Sequence, residues 1–149
     1  MRRPRPPAAA LHSSPDDVEA QFYEALQRAD IALLMSVWAD DDEIVCVHPG
    51  GGRIVGPVAI RESFEAIFGN GAIPVQPEQI RRLQSLGCEV HHLVERVAVE
   101  GPQGRQDAWV LTTNVYVKTA LGWRMAAHHA SAASADEVQD PGEAPSTLH

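Results

Sequence analysis

Apolar positions change their spacing twice along this chain. From Val18 to Ala29 they recur at three- and four-residue intervals, placing Val18, Phe22, Ala25, Leu26 and Ala29 on one face, the period of a helix half-sunk in a core. Ser14-Pro15-Asp16-Asp17 in front supplies a capping hydroxyl, a proline suited to the first helical position, and carboxylates for the positive end of the helix dipole. Asp30 caps a second, short helix through Ile31, Leu34, Met35, Val37 and Trp38, which stops at Asp40-Asp41-Asp42-Glu43. Ile44 to His48 is a short apolar strand, and Pro49-Gly50-Gly51-Gly52 turns the chain into Arg53-Ile54-Val55. Gly56-Pro57 opens a third helix with Ile60, Phe64, Ile67 and Phe68 as its stripe and Gly69-Asn70-Gly71 as its stop. Beyond it the period shortens to two: residues 79–86, 88–99, 107–118 and 122–133 are expected strands, joined at Gly87, Gly101-Pro102-Gln103-Gly104 and Ala120-Leu121-Gly122. Helices followed by an antiparallel meander predict an α+β fold, with the helices packed on one face of a curved sheet.

A length of 149 residues supports one core. Residues 1–13, with three Arg and three Pro in the first seven positions, are expected as a flexible arm, 14–134 as the domain, and 135–149 as an acidic disordered tail. A net charge of −8 with scattered Lys and Arg argues against nucleic acid as a partner. No apolar run approaches the roughly 18 residues of a membrane span, so no membrane partner is expected. Cys46 and Cys88 form neither a disulfide framework nor a zinc spacing. They are expected as buried thiols in a cytoplasmic protein.

The candidate chemistry lies on two strands far apart in sequence. His48 ends the Ile44–His48 strand beside glycine-rich backbone, and His128-His129 ends the Trp123–Ser131 segment. Alternation puts Trp123, Met125, Ala127 and His129 on one side, so His129 is expected in the interior and His128 on the partner-facing side; a one-residue bulge would reverse them. Neutral imidazoles at both places suit acid-base catalysis, and His48 and His129 are the expected catalytic residues. Trp38, Tyr23, Trp109, Asn114 and His128 are the expected ligand contacts. Trp109 and Asn114 fall on opposite faces of one strand, one lining a cavity and the other an interface. His91 and His92 are expected at the surface. No HxH, HxxxH or facial His-carboxylate spacing is visible, so neither a metal nor a cofactor is expected. The acids of 40–43 cluster in a turn, and no acid is read as buried within an apolar strand.

The order of helices, Ser-Val-Trp-Ala-Asp-Asp, Val-His-Pro-Gly-Gly, Gly-Pro-Val-Ala-Ile, Thr-Asn-Val-Tyr and Gly-Trp-Arg-Met with His-His-Ala-Ser resembles the SnoaL-like branch of the nuclear transport factor 2-like superfamily over residues 14–134. The resemblance implies a cone-shaped α+β barrel wrapped around the first helix, with a cavity at its wide end and a homodimer through the outer sheet face. It implies two functions. One is a cofactor-free isomerase, dehydratase or cyclase acting on a small oxygenated molecule, in which His48 with His128 or His129 resembles the paired histidines of scytalone-dehydratase-like members. The other is a non-catalytic dimeric domain for ligand binding or protein assembly.

Overall fold

Capping fixes the first helix where the sequence puts it: Ser14 Oγ accepts from the Asp17 amide at 3.1 Å and Pro15 enters the first turn, giving α1, Pro15–Arg28. The computed structural model describes residues 12–139. Asp30 accepts from the Leu33 amide at 3.0 Å and starts α2, Ile31–Ser36. Then come β1 (Val45–Val47), β2 (Arg53–Val55), α3 (Pro57–Phe68), β3 (Val75–Ser85), β4 (Cys88–Gly101), β5 (Gly104–Thr119), β6 (Gly122–Ala133) and a 3-10 turn at Ala135–Val138. β4 and β5 are longer than the expected strands. Val99, Glu100 and Gly101 pair with Gln106, Arg105 and Gly104, so the hairpin closes on Pro102-Gln103 alone.

The α+β class is as expected, but the sheet is mixed. Its order is β2-β1-β6-β5-β4-β3, antiparallel throughout except where β1 runs parallel to β6. A parallel pair needs a long connection between its strands, and α3 with the whole meander supplies it. The sheet curls around α1. Val18, Phe22, Tyr23 and Leu26 are packed among Leu34, Trp38, Ile60, Phe64, Leu93, Tyr116 and Met125. Phe22 and Tyr23 are 0% and 2% exposed. Neighbours on a helix point about 100° apart, so the burial of both shows that core encloses a wide arc of α1.

One irregularity decides which side chains enter the cone. Tyr116 pairs with Met125 and Val115 with Ala127, leaving Ala126 as an extra residue in β6. Such a bulge inverts the facing of everything after it. Met125 and His128 are both buried, whereas His129 is exposed.

Both ends of the described segment pack. His12 is buried, its Nε2 lies 3.2 Å from the Ser36 carbonyl, and its own carbonyl accepts from the Trp123 amide at 2.9 Å. Val138, in the 3-10 turn, is buried and lies against β5. The rest of the expected arm (1–13) and tail (135–149) lies outside the described residues. Among the described residues no helix is long and apolar enough to cross a membrane.

Candidate functional site

Strand register brings four side chains into one transverse row on the concave face. His91 pairs with Asn114, Asn114 with His128, and His128 with Cys46. α1 lies across this row and adds Glu19 and Tyr23. Glu19 Oε2 accepts from His91 Nδ1 at 2.9 Å, from the Tyr116 hydroxyl at 2.5 Å and from Asn114 Nδ2 at 3.4 Å. Asn114 Nδ2 also donates to the Tyr23 hydroxyl at 3.1 Å, and that hydroxyl donates to Glu95 Oε2 at 2.7 Å. His91 Nε2 meets Glu89 Oε2 at 2.5 Å. Every one of these residues is at most 7% exposed, so the interior of the cone is a continuous polar network rather than a purely apolar core.

The network fixes a tautomer. The carboxylate of Glu19 demands a donor from Asn114, so the amide nitrogen points to α1 and Oδ1 points to His128. His128 Nδ1 lies 2.6 Å from that oxygen and must carry the proton. Burial, then the nearby His48 and His129, push the His128 pKa down to about 3. The ring is therefore neutral near pH 7, with a lone pair on Nε2 that no other described residue engages. His48 is its complement at the rim. Ser63 Oγ donates to the Ile60 carbonyl at 2.7 Å, so it accepts from His48 Nε2 at 3.1 Å, and the free lone pair of His48 is on Nδ1. Burial lowers the His48 pKa as well. Since Ser63 accepts from His48 rather than giving it a proton, the pair does not make a serine nucleophile.

Other groups shift in the opposite sense. Burial raises the Glu95 pKa, with the Tyr23 hydrogen bond acting against it. Burial, then Glu95, raises Tyr23, and burial, then Glu19, raises Tyr116. Cys46 is pushed up to about 12 by burial and then by Glu95, which makes it an inert thiol. At His91 burial works downward, but hydrogen bonds to Glu19 and Glu89 outweigh it and the net shift is upward. The result is a charged clamp at one end of the row and a neutral base at the other.

His128, Asn114 and Tyr23 thus meet, with His48 nearby. Trp38 is buried in the core, and its indole N–H has no partner among the described residues. His129 is the residue the bulge moves. Expected inside, it lies on the outer sheet face with Thr113, Val115 and Ala127, and His128, expected outside, takes the interior place. Trp109, half-buried, also faces away from the row, because Val110, Thr112, Asn114 and Tyr116 take the inward positions of β5. His91, expected at the surface, is 0% exposed, and Glu95 is the buried strand acid that the sequence was read to lack. Glu19, Glu89 and Tyr116 complete the set that sequence reasoning passed over. A signal existed in same-face alternation, Glu89-x-His91-x-Leu93-x-Glu95 against Thr112-x-Asn114-x-Tyr116.

The SnoaL-like domain model matches residues 16–135, which span all of the strands and helices that build this interior. The chain belongs to the SnoaL-like domain family. Among solved structures, this SnoaL-like domain is similar to a provisionally assigned calcium/calmodulin-dependent protein kinase type II association domain from Thiobacillus denitrificans, at 28% identity over 82% of this chain and 97% of that one, TM-score 0.75. It is also similar to a provisionally assigned dehydratase of the NTF2-like family from Streptomyces avermitilis, at 26% identity over 79% and 93%, TM-score 0.71. An uncharacterised protein with a cystatin-like fold from Caulobacter vibrioides shares the fold at 16% identity over 81% and 88%, TM-score 0.70. Comparison with curated proteins gives no match.

Proposed function

We propose that this SnoaL-like domain carries out cofactor-free acid-base chemistry on a small, largely apolar, oxygenated carbon compound, as an isomerase, dehydratase or cyclase, with His128 as the base. The observation that carries this is the Asn114 bridge. One amide holds the neutral His128 ring with its Nε2 lone pair presented and, on its other side, the Tyr23 hydroxyl bonded to Glu95. Groups whose environments push their pKa values apart mark an acid-base site. Nε2 removes a proton α to a substrate carbonyl. The electron pair passes to the oxygen, and the enolate then either expels its β-hydroxyl, which takes the proton from the imidazolium and leaves as water, as in dehydration, or takes that proton at another carbon, as in isomerisation. A base with so low a pKa gains strength only next to the charge it creates: the enolate stabilises the imidazolium in a low-dielectric site. His48, half-buried, exchanges the imidazolium proton with water. The unpartnered Trp38 N–H offers a donor to a substrate oxygen. The dehydratase neighbour from Streptomyces avermitilis supports this class of reaction.

The test is deuterium incorporation from D2O α to the carbonyl of a panel of cyclic ketones and β-hydroxy ketones, followed by NMR. His128→Ala is expected to lose about 100-fold or more of any exchange rate, in line with general-base contributions, and Asn114→Ala somewhat less. Unchanged exchange in His128→Ala, or no exchange and no ligand-induced shift at His48 and His128 across the panel, overturns the reading.

A second reading, a dimeric assembly domain, is favoured by the outer sheet face. Leu111, Thr113, Val115, Ala127, His129 and Ser131 line a shallow groove of about 530 Å³ there, and the Thiobacillus denitrificans neighbour is described as an association domain. Self-association through this face is compatible with chemistry inside the cone. Activity loss in His128→Ala with the oligomer intact separates the two.

A further inference from the structure

The polar interior has a second end, remote from the proposed base and independent of the reading of His128. Glu89 and His91 face inward two residues apart on β4, and Asp16 projects from the first turn of α1; one ligand atom from each lies within 4.8 Å of the others. We propose that His91 Nε2, Glu89 and Asp16 form a binding site for a divalent first-row transition ion such as Zn²⁺, with water completing the coordination.

Three features beyond the acidic cluster point this way. The first is second-shell orientation: Glu19, from a different element and not itself a ligand, accepts from His91 Nδ1 at 2.9 Å. A carboxylate on one ring nitrogen turns the other toward a metal and raises its basicity, and Tyr116 and Asn114 hold that carboxylate in turn. The second is donor chemistry, since one imidazole with two carboxylate oxygens is a borderline set suited to Zn²⁺ or Mn²⁺. The third is charge. Asp16, Glu19 and Glu89 surround one fully buried imidazole, and Arg82 lies 2.9 Å from Asp16 with its side chain 38% exposed. A divalent ion would balance the carboxylates from within.

The geometry needs small adjustments. Tetrahedral donors about 2.1 Å from an ion stand roughly 3.4 Å apart. His91 Nε2 is now 2.5 Å from Glu89 Oε2 and 4.0 Å from Asp16 Oδ1, so the first pair opens by roughly 0.9 Å and Asp16, whose side chain is 59% exposed, swings in and releases Arg82. A proton leaves His91 as the ion enters. With no ion bound, the same groups clamp α1 to β4 through the imidazolium.

Calorimetric titration of Zn²⁺, and of Mn²⁺ with NMR line broadening, into the chelator-treated full chain tests the proposal. Saturation with one ion is expected, with Mn²⁺ broadening centred on residues 16, 89 and 91. Asp16→Asn, at an exposed position that leaves the fold intact, is expected to weaken binding about tenfold or more. Glu89→Gln should do the same. Arg82→Ala, which frees Asp16, is expected to tighten it, a result that a purely structural clamp would not give. Absence of binding up to about 1 mM, indifference to both Asp16→Asn and Glu89→Gln, or broadening centred instead on His92 and His129 overturns it.

Discussion

An imidazole ring buried beside Phe22, with ring centroids 4.9 Å apart, and given a single amide oxygen as partner pays more to become charged than the same ring in water. The linkage sign follows directly. In the unfolded chain His128 binds a proton near its ordinary value of 6.5, and in the fold only near about 3. Between these values the unfolded state carries more protons, so this contribution is fully present above pH 6.5 and is lost as the pH falls toward 3. About 2 kcal/mol should go between pH 6.5 and pH 5. Urea denaturation across that range is expected to show a steeper pH dependence for the wild type than for His128→Gln, and the His128 ring protons should not titrate above pH 5. Glu95 has the opposite sign: its raised pKa makes folding progressively less favourable as the pH rises through the ordinary carboxyl value, so Glu95→Gln should gain stability relative to wild type as the pH rises above that value. At this scale the sequence showed His48, Asn114 and Tyr23 as polar groups on inward-capable positions. It did not show His91, Glu19 or Glu95 as interior, because a charged side chain in an alternating strand or on a helix flank is by default solvated. Only partners more than 70 residues away, such as Tyr23 for Glu95, reveal that burial is compensated.

The element that most changes the site is β6, and within it Ala126. Alternation read from Trp123 predicts His129 inside, and it fails for one local reason: a bulge leaves no mark in the hydrophobic pattern of Met-Ala-Ala-His-His, where two alanines fit either face. Deleting Ala126 removes the extra residue, yet Met125 still meets Tyr116 and Ala127 still meets Val115. The shortened strand then alternates regularly with His128 inward. The deletion variant is therefore expected to fold, with a lower melting temperature from lost twist, and to keep a non-titrating His128; a second inward imidazole at 129, detected by NMR titration, would contradict this. The turn before β6 is less forgiving. Gly122 has φ +105, and a Cβ there would sit 2.8 Å from the His12 carbonyl oxygen. Gly122→Ala should cost about 1–3 kcal/mol by strain and displacement of the 12–123 contact, read as a shift in the urea midpoint. The helices and long strands were legible because capping residues and turn glycines mark them; the parallel β1–β6 pairing was not, since no local pattern encodes the neighbour of a three-residue strand.

For the whole molecule, the outer sheet face is the candidate surface for self-association. Leu111 and Val115 lie half-buried there beside the exposed His92 and His129. Sedimentation of the 16.2 kDa chain is expected to show a dimer, and Val115→Glu is expected to return it to a monomer with the interior network, monitored by the His128 resonance, unaltered. A monomer in the wild type at micromolar concentration would remove the assembly reading and leave the chemistry of the cone untouched.

The placement of β1 between β2 and β6 bears on how the protein is made. β1 leaves the ribosome early but finds one of its two neighbours only when residues 127–129, near the far end of the domain, have emerged. Glu19 likewise waits for His91, Asn114 and Tyr116. Until then the Glu19 carboxylate has none of its strand partners, and the apolar stripe of α1 has only the residues of α2 and α3, such as Leu34 and Phe64, to pack against. Contacts this distant along the chain fold slowly, and the nascent segment up to β5 is the interval in which an exposed sheet edge is open to misassociation or to a chaperone.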